Sequence, residues 1–256
     1  MDCVGSTTAG LPRLLPDLWM SWVLDHPIFS ESIRRIRLLL NEQVAVDPLL
    51  AAKLAGLTAL EREVLERCIH SSGDPALAVD LRFCPAGMGS AAGGACEGGA
   101  AALAAGAPIL TDTAMAAAAV APMARRTFGN RVACVLAWAP AEAPEGSTRT
   151  AAGMALALRE LAVPGEPAAV ALIGSAPTAL EVLLELVAAG GVPAPALVIG
   201  MPVGFVGVAE SKRHLAESGL AQLRLEGSKG GAGLVAAACN ALLRAAWLQA
   251  ASAPSC

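Results

Sequence analysis

The sequence predicts an α/β fold, a three-layer α/β/α arrangement around a mainly parallel sheet, with an N-terminal helical segment ahead of it. Three observations predict this. The first is a helical period between Pro27 and His70, where Ile33, Ile36 and Leu40 recur at spacings of three and four. The second is the alternation, after Pro108, of short apolar runs with helical stretches, the pattern of right-handed crossovers between parallel strands covered on both faces. The third is length, since 256 residues suit one enzyme-sized core.

Taken in order, residues 1–25 read as an extension whose one apolar piece, Leu18 to Leu24, carries no chemistry. Residues 26–256 read as a single domain, helical over 26–75 and α/β over 105–248. A second helix opens at Thr58 with Glu61 three residues on, a capping box that satisfies two orphan amides reciprocally. It places Leu60, Val64 and Cys68 on an apolar face and stops at Ser71-Ser72-Gly73-Asp74, so His70 falls in its last turn. The stretch Gly87 to Ala107 reads either as a low-complexity loop or as a loosely specified alanine helix. Strands follow at Ile109 to Leu110, Val132 to Trp138, Val170 to Ile173 and Leu197 to Ile199. Helices are expected from Thr148 to Leu161, Pro177 to Ala189 and Gly233 to Leu248.

Composition excludes several classes. A hydrophobic share of 55% and a mean hydropathy of +0.57 come mostly from alanine, and the run Leu186 to Ala209 is broken by Pro193, Pro195, Pro202 and five glycines, so no membrane span is expected. A net charge of −4, only eight Phe and Trp together and no tyrosine argue against a nucleic-acid partner, which needs a basic face or stacking platforms. Seven scattered cysteines without a CxxC pair suit neither a disulfide framework nor a zinc site, and no basic region leads into a clean apolar stretch at the N-terminus. Both observations point to a reduced cytoplasm, and no metal is expected.

The candidate site residues come from turns. Ile109-Leu110-Thr111-Asp112, Ile173-Gly174-Ser175-Ala176-Pro177-Thr178 and Gly200-Met201-Pro202-Val203-Gly204-Phe205 share one design, a strand, then small or polar residues, then a helix start. Such turns gather at the carboxyl ends of parallel strands, where free N–H groups and helix dipoles favour anions. Gly227-Ser228-Lys229-Gly230-Gly231-Ala232-Gly233 reads either as a further anion nest or as a flexible glycine turn. Arg149, behind Ser147 and Thr148, either forks onto a carboxylate or is a solvated surface arginine. His70 has Arg67 one turn before it; the negative end of its helix is expected to favour the imidazolium, which suits a proton donor, although a plain capping residue fits the same position.

These residues carry a resemblance. Gly106-Ala107-Pro108-Ile109-Leu110-Thr111-Asp112, Thr148-Arg149, Ile173 to Leu180 and above all Gly200 to Lys212 closely resemble precorrin-8X methylmutases, over Pro27 to about Leu243. The resemblance implies migration of a methyl group on ring C of the precorrin-8X macrocycle, or of cobalt-precorrin-8, to give the corrinoid product of cobalamin biosynthesis. It implies no cofactor, a homodimer, His70 as proton donor and acceptor, and Ser32 and Arg67 as substrate contacts. Thr111, Thr148, Arg149, Ser175, Thr178, Gly204, Phe205, Gly230 and Gly231 complete the expected substrate-binding set. Ile33 stands where the family has an aromatic, and Ser147-Thr148-Arg149-Thr150 replaces its Asn-Thr-Arg-Ser. Two other functions compete: a non-catalytic carrier of the corrinoid product, and a nucleotide-binding enzyme for which no Walker lysine or ribose-binding acid is present.

Overall fold

A computed structural model describes residues 26–84 and 94–252. The extension expected over 1–25 and the first part of the Gly/Ala stretch lie outside the described residues.

Four helices come first: α1 (Pro27–Val44), α2 (Pro48–Ala55), α3 (Ala59–Ser72) and the short α4 (Leu77–Asp80). Both α1 and α2 begin at a proline whose missing N–H costs nothing at a helix start, and His26 and Asp47 cap them by accepting from main-chain amides. The capping box of α3 forms as expected, with Glu61 N–H donating to Thr58 and Thr58 N–H donating to Glu61. Gly73, with a φ of 70°, ends the helix in the left-handed conformation that glycine adopts without strain.

The sheet has six strands: β1 (Leu81–Cys84), β2 (Ile109–Thr111), β3 (Val132–Cys134), β4 (Val170–Ile173), β5 (Leu197–Gly200) and β6 (Gln222–Leu225). Their order is β1-β6-β5-β4-β2-β3, parallel throughout except that β1 runs antiparallel to β6 at one edge. Between the strands lie α5 (Ala95–Ala104), α6 (Ala114–Arg126), α7 (Arg149–Glu160), α8 (Pro177–Ala188) and α9 (Val208–Glu217), and α10 (Ala232–Ser252) closes the chain.

Strand residues alternate between two cores, as a period of two demands. Ile109, Val170, Leu172, Leu197 and Ile199 pack with α3, α5, α6 and α10 on one face. Leu110, Ala171, Ile173 and Val198 pack with α7, α8 and α9 on the other. The three layers are those expected. The sheet, however, starts at Leu81 rather than after 105, the Gly/Ala stretch resolves into helix α5 in its second half, and Val132 to Trp138 is a three-residue strand followed by a 3-10 turn over Val135–Ala137. The helix α10 is apolar enough to span a membrane by composition, but 56% of its most apolar window is buried against the protein's own α3, α5 and α6.

Candidate active site

His70 sits in the last turn of α3, and α1 brings two side chains to it. Ser32 Oγ lies 2.7 Å from His70 Nδ1. Phe29 meets the imidazole edge-on with ring centroids 4.9 Å apart. The Arg67 guanidinium stands 4.4 Å over the Phe29 ring, a cation–π contact. Phe29, Arg67 and His70 line a cleft of about 410 Å³, with Ser32 held behind the imidazole, and its floor is Ala119 of α6 and the Gly233, Ala236, Ala237 and Asn240 face of α10. Those four α10 residues recur at three, four and seven, so small side chains leave one helix face open to a flat ligand.

Helix position predicted a favoured imidazolium at His70; the structure reverses the sign. Burial and, after it, the neighbouring Arg67 cation both hold its pKa below the ordinary value of 6.5. Near pH 7 the ring is therefore neutral, and Ser32 can either donate to Nδ1 or accept from it. The two arrangements leave Nε2 as a donor or as an acceptor respectively.

The strand-end turns are gathered at the carboxyl edge of the sheet, but they are not free anion sites. After β4, the turn at Ser175 and Ala176 is occupied by a carboxylate from the protein itself. Asp112 Oδ2 accepts from Ser175 N–H at 2.6 Å and from Ala176 N–H at 2.8 Å, and caps α8, whose own N-cap residue Ala176 has no capping side chain. Asp112 is fully buried, which pushes its pKa up, while the main-chain donors pull the other way. After β6, the Gly227–Gly231 turn is held from beneath by Lys212, 1% exposed, whose Nζ donates to the Gly227 and Lys229 carbonyls at 2.8 and 2.6 Å. Lys229 points away to Asp74 at 2.8 Å rather than adding charge to a nest. Gly230 and Gly231 press against the turn that follows β5: Gly231 N–H donates to Met201 O, and a Cβ on Gly230 would overlap that carbonyl. Gly174 in turn lies against Gly231 and Ala232, so the β4 turn and the His70 cleft both adjoin the start of α10.

Of the expected site residues, the structure sets Arg67 and His70 in one cleft, with Ser32 hydrogen-bonded to His70 from behind and Gly230 and Gly231 a few residues before its Gly233 wall. Thr148 and Thr178 form a second group, their hydroxyls 2.8 Å apart, beside Ser175. Arg149 is exposed and donates through Nε to the Pro140 carbonyl. Thr111 corrects the expectation: fully buried, its hydroxyl donates to the Thr113 carbonyl and has no surface to offer a ligand. Gly204 is pinned to the Ser228 carbonyl, and Phe205 is 95% exposed at the tip of its loop. Phe29 and Asn240 were not foreseen; Phe29 lies one turn before Ser32, a helical spacing that would have found it. Among the described residues no group of three or more His, Cys, Asp or Glu side chains is placed to hold a metal ion.

Comparison with known proteins bears on this arrangement. The family described as Precorrin-8X methylmutase matches residues 27–245. The Precorrin-8X methylmutase of Pseudomonas aeruginosa is 44% identical over 196 residues, 75% of this chain and 87% of its own. The Cobalt-precorrin-8 methylmutase of Synechocystis is 36% identical over 231 residues, 88% of this chain and 97% of its own. The crystal structure of a precorrin-8X methylmutase from Thermus thermophilus superposes with a TM-score of 0.67 at 36% identity, covering 87% of this chain and 96% of that one. With the family matched from the first helix of the domain well into its last, the chain belongs to the precorrin-8X methylmutases.

Proposed function

We propose that the chain isomerises precorrin-8X, or its cobalt-bearing counterpart, by moving a methyl group between neighbouring carbons of ring C, with His70 carrying the one proton the rearrangement needs. The family is one of isomerases of cobalamin biosynthesis. The observation that carries the assignment of His70 is its 2.7 Å contact with Ser32 at the wall of an open cleft with a small-residue floor. An isomerisation returns every atom it borrows, so its acid must also be its base. A neutral imidazole whose second nitrogen faces a hydroxyl can be either, by moving the proton it shares with Ser32. Burial, and after it Arg67, keeps the resting ring neutral, and Arg67 offers its guanidinium to a carboxylate arm of the macrocycle. Ser175, Thr148 and Thr178, with Arg149 behind them, would take further arms through hydroxyl groups, because Asp112 already occupies the main-chain donors of that turn. Several such contacts orient the ring for the shift.

The same reading makes the protein a cytoplasmic homodimer. The exposed Val203, Phe205 and Val206, on a loop that also adjoins the Gly230 turn, supply an apolar tip that a second copy or the macrocycle would cover. Sedimentation of wild type against Phe205→Ser tests the dimer, which the variant should weaken. For the activity, precorrin-8X is mixed with wild type and with His70→Ala and the visible spectrum followed. Conversion by wild type and its loss in the variant is the expected result. Binding without conversion by wild type, with either form of the substrate, would leave a carrier of the corrinoid instead.

A further inference from the structure

Ser32 and Phe29 reach His70 because α1 lies along α3 in one register, and a half-buried ion pair further along the two helices holds that register. On α1, Phe29, Ser32, Ile33, Ile36, Arg37 and Leu40 recur at three and four and form one face. On α3 the partners run the other way: His70 meets Ser32, and Glu66, one turn earlier, meets Arg37. Arg37 Nε and Nη2 donate to the two Glu66 oxygens at 2.9 and 2.8 Å, a planar two-pronged contact. The Glu66 side chain is only 2% exposed, while that of Arg37 is 61% exposed.

Around these two contacts the packing is apolar. Ile36 and Leu40 are buried and Ile33 is packed beside them. Aliphatic ridges accept more than one offset in the facing grooves. A forked guanidinium on a carboxylate does not, and a slipped register would leave the Glu66 charge buried without its partner, a state strongly disfavoured. A slide of one residue moves a helix by about 1.5 Å, enough to carry a hydroxyl at hydrogen-bond distance out of reach.

We infer that the Arg37–Glu66 pair is a positioning device for the proton carrier: it locks α1 onto α3 so that Ser32 stays hydrogen-bonded to His70 and sets which ring nitrogen faces the substrate. Neither residue lines the cleft with His70, so neither is placed to touch the substrate, and the contact through which the register is felt at His70 is that of Ser32. Glu63 and Arg244, paired at 2.8 Å beside the Arg37–Glu66 contact, tie the same stretch of α3 to α10 and keep it still while α1 is held against it.

The inference rests on His70 as proton carrier, and its test is separable from that reading because it does not need turnover. The chain has three histidines, His26, His70 and His214, so the ring C–H resonances of each are followed through a pH titration by NMR. Ser32→Ala is expected to move the His70 midpoint. Glu66→Gln should move it in the same direction by a comparable amount, and the double variant should match Ser32→Ala alone, with His26 and His214 unmoved. In turnover, Glu66→Gln should lower kcat by roughly ten- to a hundredfold with KM little changed, the cost of a misplacement on the order of 1 Å. Shifts that add in the double variant would show Glu66 acting on His70 only as a nearby charge and would overturn the inference, as would a His70 titration unchanged in Glu66→Gln. If Glu66→Gln does not fold, Arg37→Met opens the pair from its exposed end and must give the same non-additive shift.

Discussion

Removing the Asp112 carboxylate should unseat the turn that follows β4. In Asp112→Ala, the amides of the half-buried Ser175 and Ala176 lose, at 2.6 and 2.8 Å, an acceptor that is itself fully buried. Hydrogen bonds to a charged group contribute about 1.5–3 kcal/mol each, so the gross loss is roughly 3–6 kcal/mol. The desolvation that pushes the Asp112 pKa up offsets part of this, because the variant no longer buries a charge. A net loss of about 2–4 kcal/mol remains, and at roughly 2–4 °C per kcal/mol for a chain of this size Tm should fall by on the order of 5–15 °C. Thermal unfolding followed by circular dichroism reads it directly. The sign of the pH effect adds a second check. A raised folded-state pKa means that the proton binds the folded form better, so this group's contribution is fully present below the unfolded value near 3.8 and is lost as pH rises through the folded value. Asp112→Asn cannot titrate, so the stability difference between wild type and this variant should change across that window and be flat above it. A Tm within about 2 °C of wild type for Asp112→Ala, or a pH-independent difference for Asp112→Asn, would refute the reasoning.

Other consequences are as direct. Because burial and Arg67 hold the His70 pKa below 6.5, the acid limb of kcat/KM should lie below the ordinary histidine range, and Arg67→Met should move it upward; a pH–rate profile decides. Lys212→Met removes two hydrogen bonds from a buried ammonium group to the Gly227 and Lys229 carbonyls and should cost about 1–3 kcal/mol in urea unfolding. Burial lowers the Lys212 pKa to about 8, so wild type gains stability as pH rises from there toward the unfolded value near 10.5, and the variant's deficit should widen over that range. Gly230→Ala drives a methyl group into the Met201 and Pro202 carbonyls, both main chain and unable to swing aside, and should destabilise by roughly 1–3 kcal/mol and raise KM for the macrocycle.

Much of the fold was legible because its signals are local. The Thr58–Glu61 box and the Gly73 stop lie within one helix, and they placed His70 in its last turn. Strands β2, β4 and β5 are short continuous apolar runs, the form that a strand buried on both faces takes. Strands β1 and β6 escaped because Arg82 and Arg224 interrupt them, as an antiparallel pair at the sheet edge permits. The helix α6 escaped because Pro122 stands inside it, and α9 because its charged outer face reads as a solvated stretch.

By itself the sequence determined the layer order, the helix that presents His70 and the family to which the turns belong, since each rests on residues close together along the chain. Tertiary structure alone decided what those turns can do. Asp112 meets an amide 63 residues away, Lys212 reaches under a loop 15 residues on, and Arg37 finds Glu66 across 29 residues. The sign of the His70 pKa was likewise decided by burial and by the packing of Arg67 beside it, not by helix position. A main-chain donor invites a ligand only if the fold has left it unfilled, and the partner that fills it is chosen by packing over distances that spacing along a chain does not encode.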